Sequence, residues 1–209
     1  MMILNNPNLD VRKTNRAIDE LLKVTTNPRH RFMLEAYHRH RFLEIAGRYE
    51  EIFSPDMTVA NPKYHFEVAG NSATLDGAES VKGLYAVWAQ TNQSIFYAED
   101  EQIAVANNFI ASVSTMYQQT HGRTLAANGI QVDDENAYYL IRIPGMQMFW
   151  PYDDQCRLLG EDVWEPNPAA RTLTKLAPSE VLTSEQSGKL LEPFIKPLRN
   201  FEEAVLQAA

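Results

Sequence analysis

Cysteine is nearly absent from this sequence, which has Cys156 as its single cysteine among 209 residues. One cysteine excludes an intrachain disulfide and every zinc site built from several cysteines. A nucleophilic cysteine would need a neighbouring base and an exposed, electropositive setting. Because Cys156 lies between Gln155 and Arg157, in a predicted turn before a strand, the sequence favours a structural role for it.

Positive charge is also scarce, because 27 acidic residues outnumber 19 basic ones and give a formal net charge of −8. Binding to nucleic acid requires a basic surface, so we expect no nucleic-acid partner. The one basic cluster, at residues 29–31 and 39–41, lies on a predicted helix. It indicates a solvated or subunit-contacting face, with attraction of an anionic substrate as the alternative.

Long apolar runs are missing as well. No segment approaches the roughly 20 apolar residues that a helix needs to span a bilayer. The N-terminal residues lack an apolar core of signal-peptide length. We therefore expect no membrane partner and a cytoplasmic location.

Helical patterns followed by strand patterns make up the rest of the chain. Apolar residues recur every three or four positions and predict four helices, at residues 9–24, 28–46, 48–53 and 78–90. Alternation and strand-like runs predict strands at 56–68, 93–105, 107–121, 137–150 and 157–165. Pro62 indicates an edge or a bulge in the first strand, and Gly70 to Gly77 is typical of a turn-rich connection. Helices followed by several antiparallel strands indicate an α+β domain.

Three segments resemble one known family. They are RYEEIFSPDMTV at 48–59, LDG with SVKGLY between 75 and 85, and RLLGEDVWE at 157–165. In pattern and order they resemble the nuclear transport factor 2-like (NTF2-like) superfamily, in particular its SnoaL-like branch. The resemblance implies an α+β cone in which N-terminal helices pack on a strongly bent antiparallel or mixed β-sheet around a pocket.

The resemblance covers residues 28–165 and implies a division of the chain into three segments. Residues 1–27 are expected to form an N-terminal helical extension. Residues 166–209 are expected to form a C-terminal extension, with weak helical stretches near 179–192 and 194–207, that wraps the core or a partner subunit. A homodimer is expected, because a bent sheet leaves an outer face to cover.

The same resemblance implies acid–base chemistry, since catalytic members commonly use Asp, Glu, His and Tyr side chains inside the cone without a metal or another cofactor. The family also holds non-catalytic transport factors and oxygenase small subunits, so its fold does not assign a reaction. The sequence itself shows no Gly-rich phosphate loop, no Gly-x-Ser-x-Gly elbow and no spacing typical of a metal site.

Two adjacent carboxylates in the last predicted strand are the first catalytic candidates, Glu161 and Asp162. Strict alternation puts them on opposite faces, so one of them is expected to face the pocket. The apolar neighbour Trp164 favours Asp162, although the sequence leaves the choice open. For each carboxylate, a salt bridge or a solvent-facing position is the alternative.

Three further side chains are candidates for the same chemistry. His38 and His65 are candidates for proton transfer, and Tyr37 is a candidate donor to a developing oxyanion. Partly exposed polar positions are the alternative for the histidines. A second group, expected to line a hydrophobic substrate pocket or only to fill the core, contains Trp88, Tyr64, Tyr97, Tyr117, Met148 and Trp150.

The leading hypothesis is a cofactor-independent lyase, isomerase or hydrolase acting on a small hydrophobic or aromatic substrate. A non-catalytic small-molecule-binding or dimeric assembly module is the first alternative. An oxygenase small subunit, which would need a metal-bearing partner, is the second.

Overall fold

Five α-helices and seven β-strands form the described part of the chain, residues 9–206 of a computed structural model. The helices are α1 (Arg16–Val24), α2 (Pro28–Ile45), α3 (Ala78–Gln90), α4 (Gly122–Ala127) and α5 (Ser184–Leu191). The strands are β1 (Thr58–Val68), β2 (Asn71–Asp76), β3 (Phe96–Val105), β4 (Phe109–His121), β5 (Tyr138–Pro151), β6 (Leu158–Trp164) and β7 (Thr172–Lys175). The predicted α+β class is confirmed.

Helix α2 is the longest helix of the described residues and has clear start and stop signals. The Asn27 side chain accepts a hydrogen bond from the His30 amide, and Pro28 occupies the first turn, where its missing N–H does no harm. At the other end Gly47 takes a left-handed φ of 69°, which a glycine adopts without strain. Between these signals α2 is buried on almost every side, so it forms the centre of the helical layer.

The sheet is mixed, with the strand order β2-β1-β6-β5-β4-β3. Strands β1 and β6 run parallel, and the other neighbours run antiparallel. Strand β5 changes partner along its length, because Tyr139–Arg142 pair with β7 whereas Gln147–Phe149 pair with β6. Gly145, at a φ of 71°, lies between the two halves. The sheet therefore bends sharply at this point and curves around the helices.

The predicted turn-rich connection from Gly70 to Gly77 is wrong. Residues Asn71–Asp76 form strand β2, which pairs with β1 through a tight turn whose two residues, Ala69 and Gly70, have left-handed φ values of 58° and 74°. This edge strand is polar and almost wholly exposed, so its sequence carries no alternation. The expected irregularity at Pro62 is confirmed, since the register of β1 with β6 shifts between Thr58 and Lys63.

The segment after β6 packs on the core over most of its described length. Leu176, Leu182 and Leu191 belong to the same buried cluster as Ile45 of α2. The Ser187 hydroxyl donates to the Ile45 carbonyl at 2.6 Å and fixes α5 against the end of α2. The division into three segments stays a prediction, and the parts of it that fall on residues 1–8 and 207–209 lie outside the described residues.

Within residues 9–206, no helix is both long enough and apolar enough to cross a bilayer. The cytoplasmic location and the homodimer stay predictions.

Candidate active site

The concave side of the sheet and helices α2 and α3 enclose a cavity of about 470 Å³. Most of its wall is apolar and comes from strands β1, β4, β5 and β6, from α3 and from the region of α4. The apolar lining includes Phe66, Leu84, Trp88, Phe96, Met116, Leu125, Ile141, Ile143, Met146, Met148 and Val163. A pocket of this volume and composition suits a small molecule.

Strand β6 brings one carboxylate to this cavity. Glu161 lines the cavity wall and is only 6% exposed, whereas its neighbour Asp162 lies on the outer face. The preference for Asp162 as the cavity-facing carboxylate is therefore wrong. Strict alternation fails because Gly160 and Glu161 are buried in succession. At Gly160 the backbones of β6 and β1 approach so closely that an added Cβ would lie 1.8 Å from the Lys63 carbonyl oxygen.

Helix α2 contributes a second carboxylate, Glu44, to the same cavity. The Glu44 Oε2 atom lies 3.9 Å from the His40 Nε2 atom, which in turn lies 3.3 Å from the Tyr85 hydroxyl of α3. The His40 ring packs edge-on against Trp150, with ring centroids 4.7 Å apart. Burial lowers the pKa of His40 to about 3, so this imidazole is neutral near pH 7.

A cation close to these carboxyls, Arg41, already has a carboxylate partner. Arg41, one helical turn before Glu44 in α2, makes two hydrogen bonds of 2.7 and 2.8 Å to the carboxylate of Glu101. Both side chains are 2% exposed. The ion-pair partner of Arg41 is therefore Glu101, and the charge of Arg41 lowers the pKa of Glu44 and Glu161 only against the larger, opposite effect of burial.

The two cavity carboxyls are consequently hard to ionise. Burial raises the pKa of Glu44 to about 8, with Arg41 opposing the shift. Burial also raises the pKa of Glu161 well above its usual range, and the nearby Glu44 carboxylate raises it further. Neighbouring carboxyls whose pKa values are raised by burial in an apolar space are candidates for acid–base chemistry.

A buried polar atom near these carboxyls, the Trp150 indole nitrogen Nε1, has no hydrogen-bond partner among residues 9–206. Trp150 is part of the cavity wall. Buried donors usually find a partner, so an unpaired indole N–H at a cavity wall is available to a bound molecule.

The bent mixed sheet, the helices in its concave side and the cavity between them decide the architecture. The fold is NTF2-like. The predicted NTF2-like fold is thereby confirmed, and the resemblance to the SnoaL-like branch stays a prediction. No family model and no curated protein matches the sequence.

Solved structures with similar folds include three of different origin. A protein assigned as a SnoaL-like polyketide cyclase from Jannaschia sp. CCS1 is 12% identical, with 69% of this chain and 92% of that chain covered and a TM-score of 0.49. An NTF2-like protein from Anabaena variabilis is 7% identical, with 68% and 93% covered and a TM-score of 0.48. The hexachlorocyclohexane dehydrochlorinase LinA-type3 from Novosphingobium barchaimii is 13% identical, with 69% and 87% covered and a TM-score of 0.43. These likenesses concern the fold.

The other catalytic candidates lie away from the cavity of the NTF2-like cone. His38 faces α1, where its Nε2 atom lies 3.3 Å from an Asp19 carboxylate oxygen. His65 is exposed on β1 and contacts the Thr74 hydroxyl at 3.0 Å. Tyr37 is fully buried, and its hydroxyl lies 3.3 Å from both Glu101 and Ser112. The structure does not bring these three side chains together, and their catalytic roles stay predictions.

The six candidate substrate-binding residues divide into two groups. Trp88, Met148 and Trp150 line the cavity. Tyr64 and Tyr97 are buried outside its lining, and the Tyr117 hydroxyl donates to Glu99 at 2.9 Å. Contact with a substrate stays a prediction for all six.

From the sequence, Glu44 and Tyr85 were not among the acid–base candidates. His40 and Arg41 were assigned to a solvated or subunit-contacting cluster, with attraction of an anionic substrate as the alternative. Arg41 and His40 are instead buried. One signal was available, because residues three, four and seven positions apart share a helix face. That spacing links Tyr37, Arg41 and Glu44 on α2.

A second cleft, of about 530 Å³, lies between α1 and β3. Its lining is largely charged and includes Arg16, Glu20, Glu99 and Asp100. Such a cleft is a weaker candidate for acid–base catalysis, because it lacks the apolar wall that shifts a pKa. Among residues 9–206, no group of three or more His, Cys, Asp or Glu side chains is placed to hold a metal ion.

Proposed function

We propose that this protein is a cofactor-independent enzyme that moves a proton on a small, largely apolar molecule bound in the cone, as lyases, isomerases and some hydrolases do. The observation that carries the proposal is the pairing of Glu44 and Glu161 in an apolar cavity without a counter-ion of their own. General acid–base catalysis needs groups whose pKa lies close to the working pH, and burial brings these carboxyls towards it.

The two carboxyls have different roles in this proposal. Glu44, with a pKa of about 8, ionises as the pH approaches 8 and then acts as the general base. Glu161, whose pKa is raised further by a charged Glu44, keeps its proton and donates it to the oxygen on which charge develops. Trp150 Nε1, which has no partner among residues 9–206, is placed to donate to the same molecule.

The elimination of 5-nitrobenzisoxazole tests this proposal without knowledge of the natural substrate. A base removes the C3 proton, the N–O bond breaks, and 2-cyano-4-nitrophenolate is released, so no oxidant or cofactor takes part. The phenolate is followed by its visible absorbance. The wild-type rate above background is expected to rise with pH as Glu44 ionises.

Three variants make the test specific. Glu44→Gln is expected to reduce the rate to background, and Glu161→Gln to lower it about 100-fold, as loss of a general acid does. Asp162→Asn removes the neighbouring carboxylate on the outer face and is expected to keep the wild-type rate. Equal rates in all four proteins would overturn the proposal and favour a non-catalytic binding module. Loss of activity in Asp162→Asn alone would place the chemistry outside the cavity.

A further inference from the structure

We propose that Arg171 is a ligand-recognition residue that binds a carboxylate at one end of the cavity, so that the preferred ligand has an apolar body and a single carboxylate head. This inference rests on the proposed function in taking the cavity as the substrate site. It adds a chemical class for the substrate and a role for a segment outside the part of the chain that resembles the family.

Arg171 reaches the cavity from the C-terminal segment. It lines the cavity although it lies just before β7, at the edge of the sheet. A short 3-10 turn at Pro168–Ala170 leads into it, and the Arg171 amide donates to the Pro168 carbonyl at 3.3 Å. Prolines restrict the backbone before this turn, so the position of Arg171 is well defined.

A buried carboxylate holds the guanidinium in place. Arg171 donates through Nε and Nη2 to the two oxygens of Glu165, at 2.5 and 2.7 Å, and the Glu165 side chain is fully buried. Glu165 also accepts a hydrogen bond from the Ala69 amide at 2.7 Å, which ties Arg171 to the β1–β2 turn. This bidentate geometry fixes the plane of the guanidinium.

One edge of that guanidinium stays unused. Arg171 Nη1 donates to no protein atom among residues 9–206, although the side chain is only 14% exposed. Arg41, the other arginine of the cavity wall, gives both of its Nη atoms to Glu101. An under-used, fixed guanidinium edge in a cavity wall suits an oxygen acceptor, and a carboxylate makes the stronger, charge-assisted hydrogen bonds.

The position of this edge also orients the ligand. The Ala69–Asn71 turn beside Arg171 includes exposed Asn71, so this end of the cavity opens to solvent. The end of the cavity that holds Glu44 and Glu161 disfavours a negative head, because a carboxylate there would lose its hydration and would be repelled by Glu44 when Glu44 is ionised. A carboxylate at Arg171 therefore leaves the apolar body extending towards the acid–base pair.

Fluorescence titration with two matched probes tests the inference. 1-Pyrenebutanoate and 1-pyrenebutanol share one apolar body, and only the first has a carboxylate. Arg171→Gln combined with Glu165→Gln removes both charges together, so no buried charge is left unpaired. This double variant is expected to bind the carboxylate about tenfold more weakly than wild type and the alcohol equally well. Glu165→Gln alone leaves the arginine charge uncompensated and is expected to bind the carboxylate more tightly.

Lys175→Gln, which removes an exposed charge in β7, is the control and is expected to change neither affinity. Unchanged carboxylate binding in the double variant would overturn the inference. An equal loss of both probes would also overturn it, because Arg171 would then only shape the cavity. Binding is measured apart from catalysis, so failure here is distinct from failure of the elimination assay.

Discussion

Replacing Glu44 by glutamine is expected to stabilise the protein at neutral pH and to flatten the dependence of its stability on pH. Folding raises the pKa of Glu44 to about 8 from an ordinary value of 4.5. Between these values the folded protein binds a proton that the unfolded chain has released. The free energy of unfolding therefore falls as the pH rises from 4.5 to 8, by about 1.4 kcal/mol per pH unit, and levels off above 8.

The magnitude follows from the same values. At pH 7 the wild-type protein has lost about 3 kcal/mol relative to its stability below pH 4.5, because Glu44 must stay protonated. Glutamine has nearly the same shape and no proton to lose. Glu44→Gln is therefore expected to be about 3 kcal/mol more stable than wild type at pH 7, and nearly equal to it at pH 4.5. The raised pKa of Glu161 adds a slope of the same sign to both proteins.

Urea unfolding followed by tryptophan fluorescence, at several pH values from 4.5 to 8, measures this difference. Trp88 and Trp150 line the cavity and report on its loss. Glu35→Gln is the matched control, because Glu35 lies on the same helix, is partly exposed and pairs with Arg199. That variant is expected to keep the wild-type slope. A stability gain in Glu44→Gln that does not grow with pH, or a loss at pH 7, would refute the assignment of Glu44 as a desolvated carboxyl.

Two further predictions concern packing and charge. Gly160→Ala is expected to destabilise the protein by about 3 kcal/mol, because the added Cβ would clash with the Lys63 carbonyl. In Gly83→Ala, within α3, the added Cβ would have no atom within 4 Å, so this variant is expected to stabilise the protein by about 0.5–1 kcal/mol. Thermal unfolding measures both variants, and equal shifts in melting temperature would contradict the close approach of β6 and β1 at Gly160. Arg41→Met is expected to cost about 3–5 kcal/mol in urea unfolding, because it leaves the buried Glu101 unpaired, and a change under 1 kcal/mol would contradict this.

The spacing of apolar residues along the sequence was sufficient to predict most of the helices and strands. Helix α2 and helix α3 were predicted almost to their ends, because a proline or glycine marks a boundary of each. Strands β4 and β5 were predicted for a similar reason, since they are long and partly buried. The short strands β2 and β7 were not, because exposed polar segments of four to six residues form through pairing with neighbours and show little pattern of their own. Helix α4 was not predicted either, because its six residues are too few to show a helical period.

Only one of the two cavity carboxylates, Glu161, was predicted from the sequence as a site residue. Glu161 was a candidate from its place in a strand, but its orientation depends on a one-residue irregularity that alternation does not contain. Glu44 was missed because α2 is buried on nearly all sides and so shows no polar stripe against an apolar one. The raised pKa values depend on contacts between α2, β3 and β6, which lie far apart in sequence.

The parallel pairing of β1 with β6 has a consequence for biosynthesis. Residues 58–68 leave the ribosome before their partner on one side, which comes from residues 158–164, about 100 positions later in the chain. The β1–β2 hairpin can therefore pair with β6 only after residues 158–164 have been made, and such distant pairing slows folding. During that interval the backbone edge of β1 that later pairs with β6 has no partner strand. A chaperone that binds nascent apolar strands would meet this protein at that stage of its synthesis.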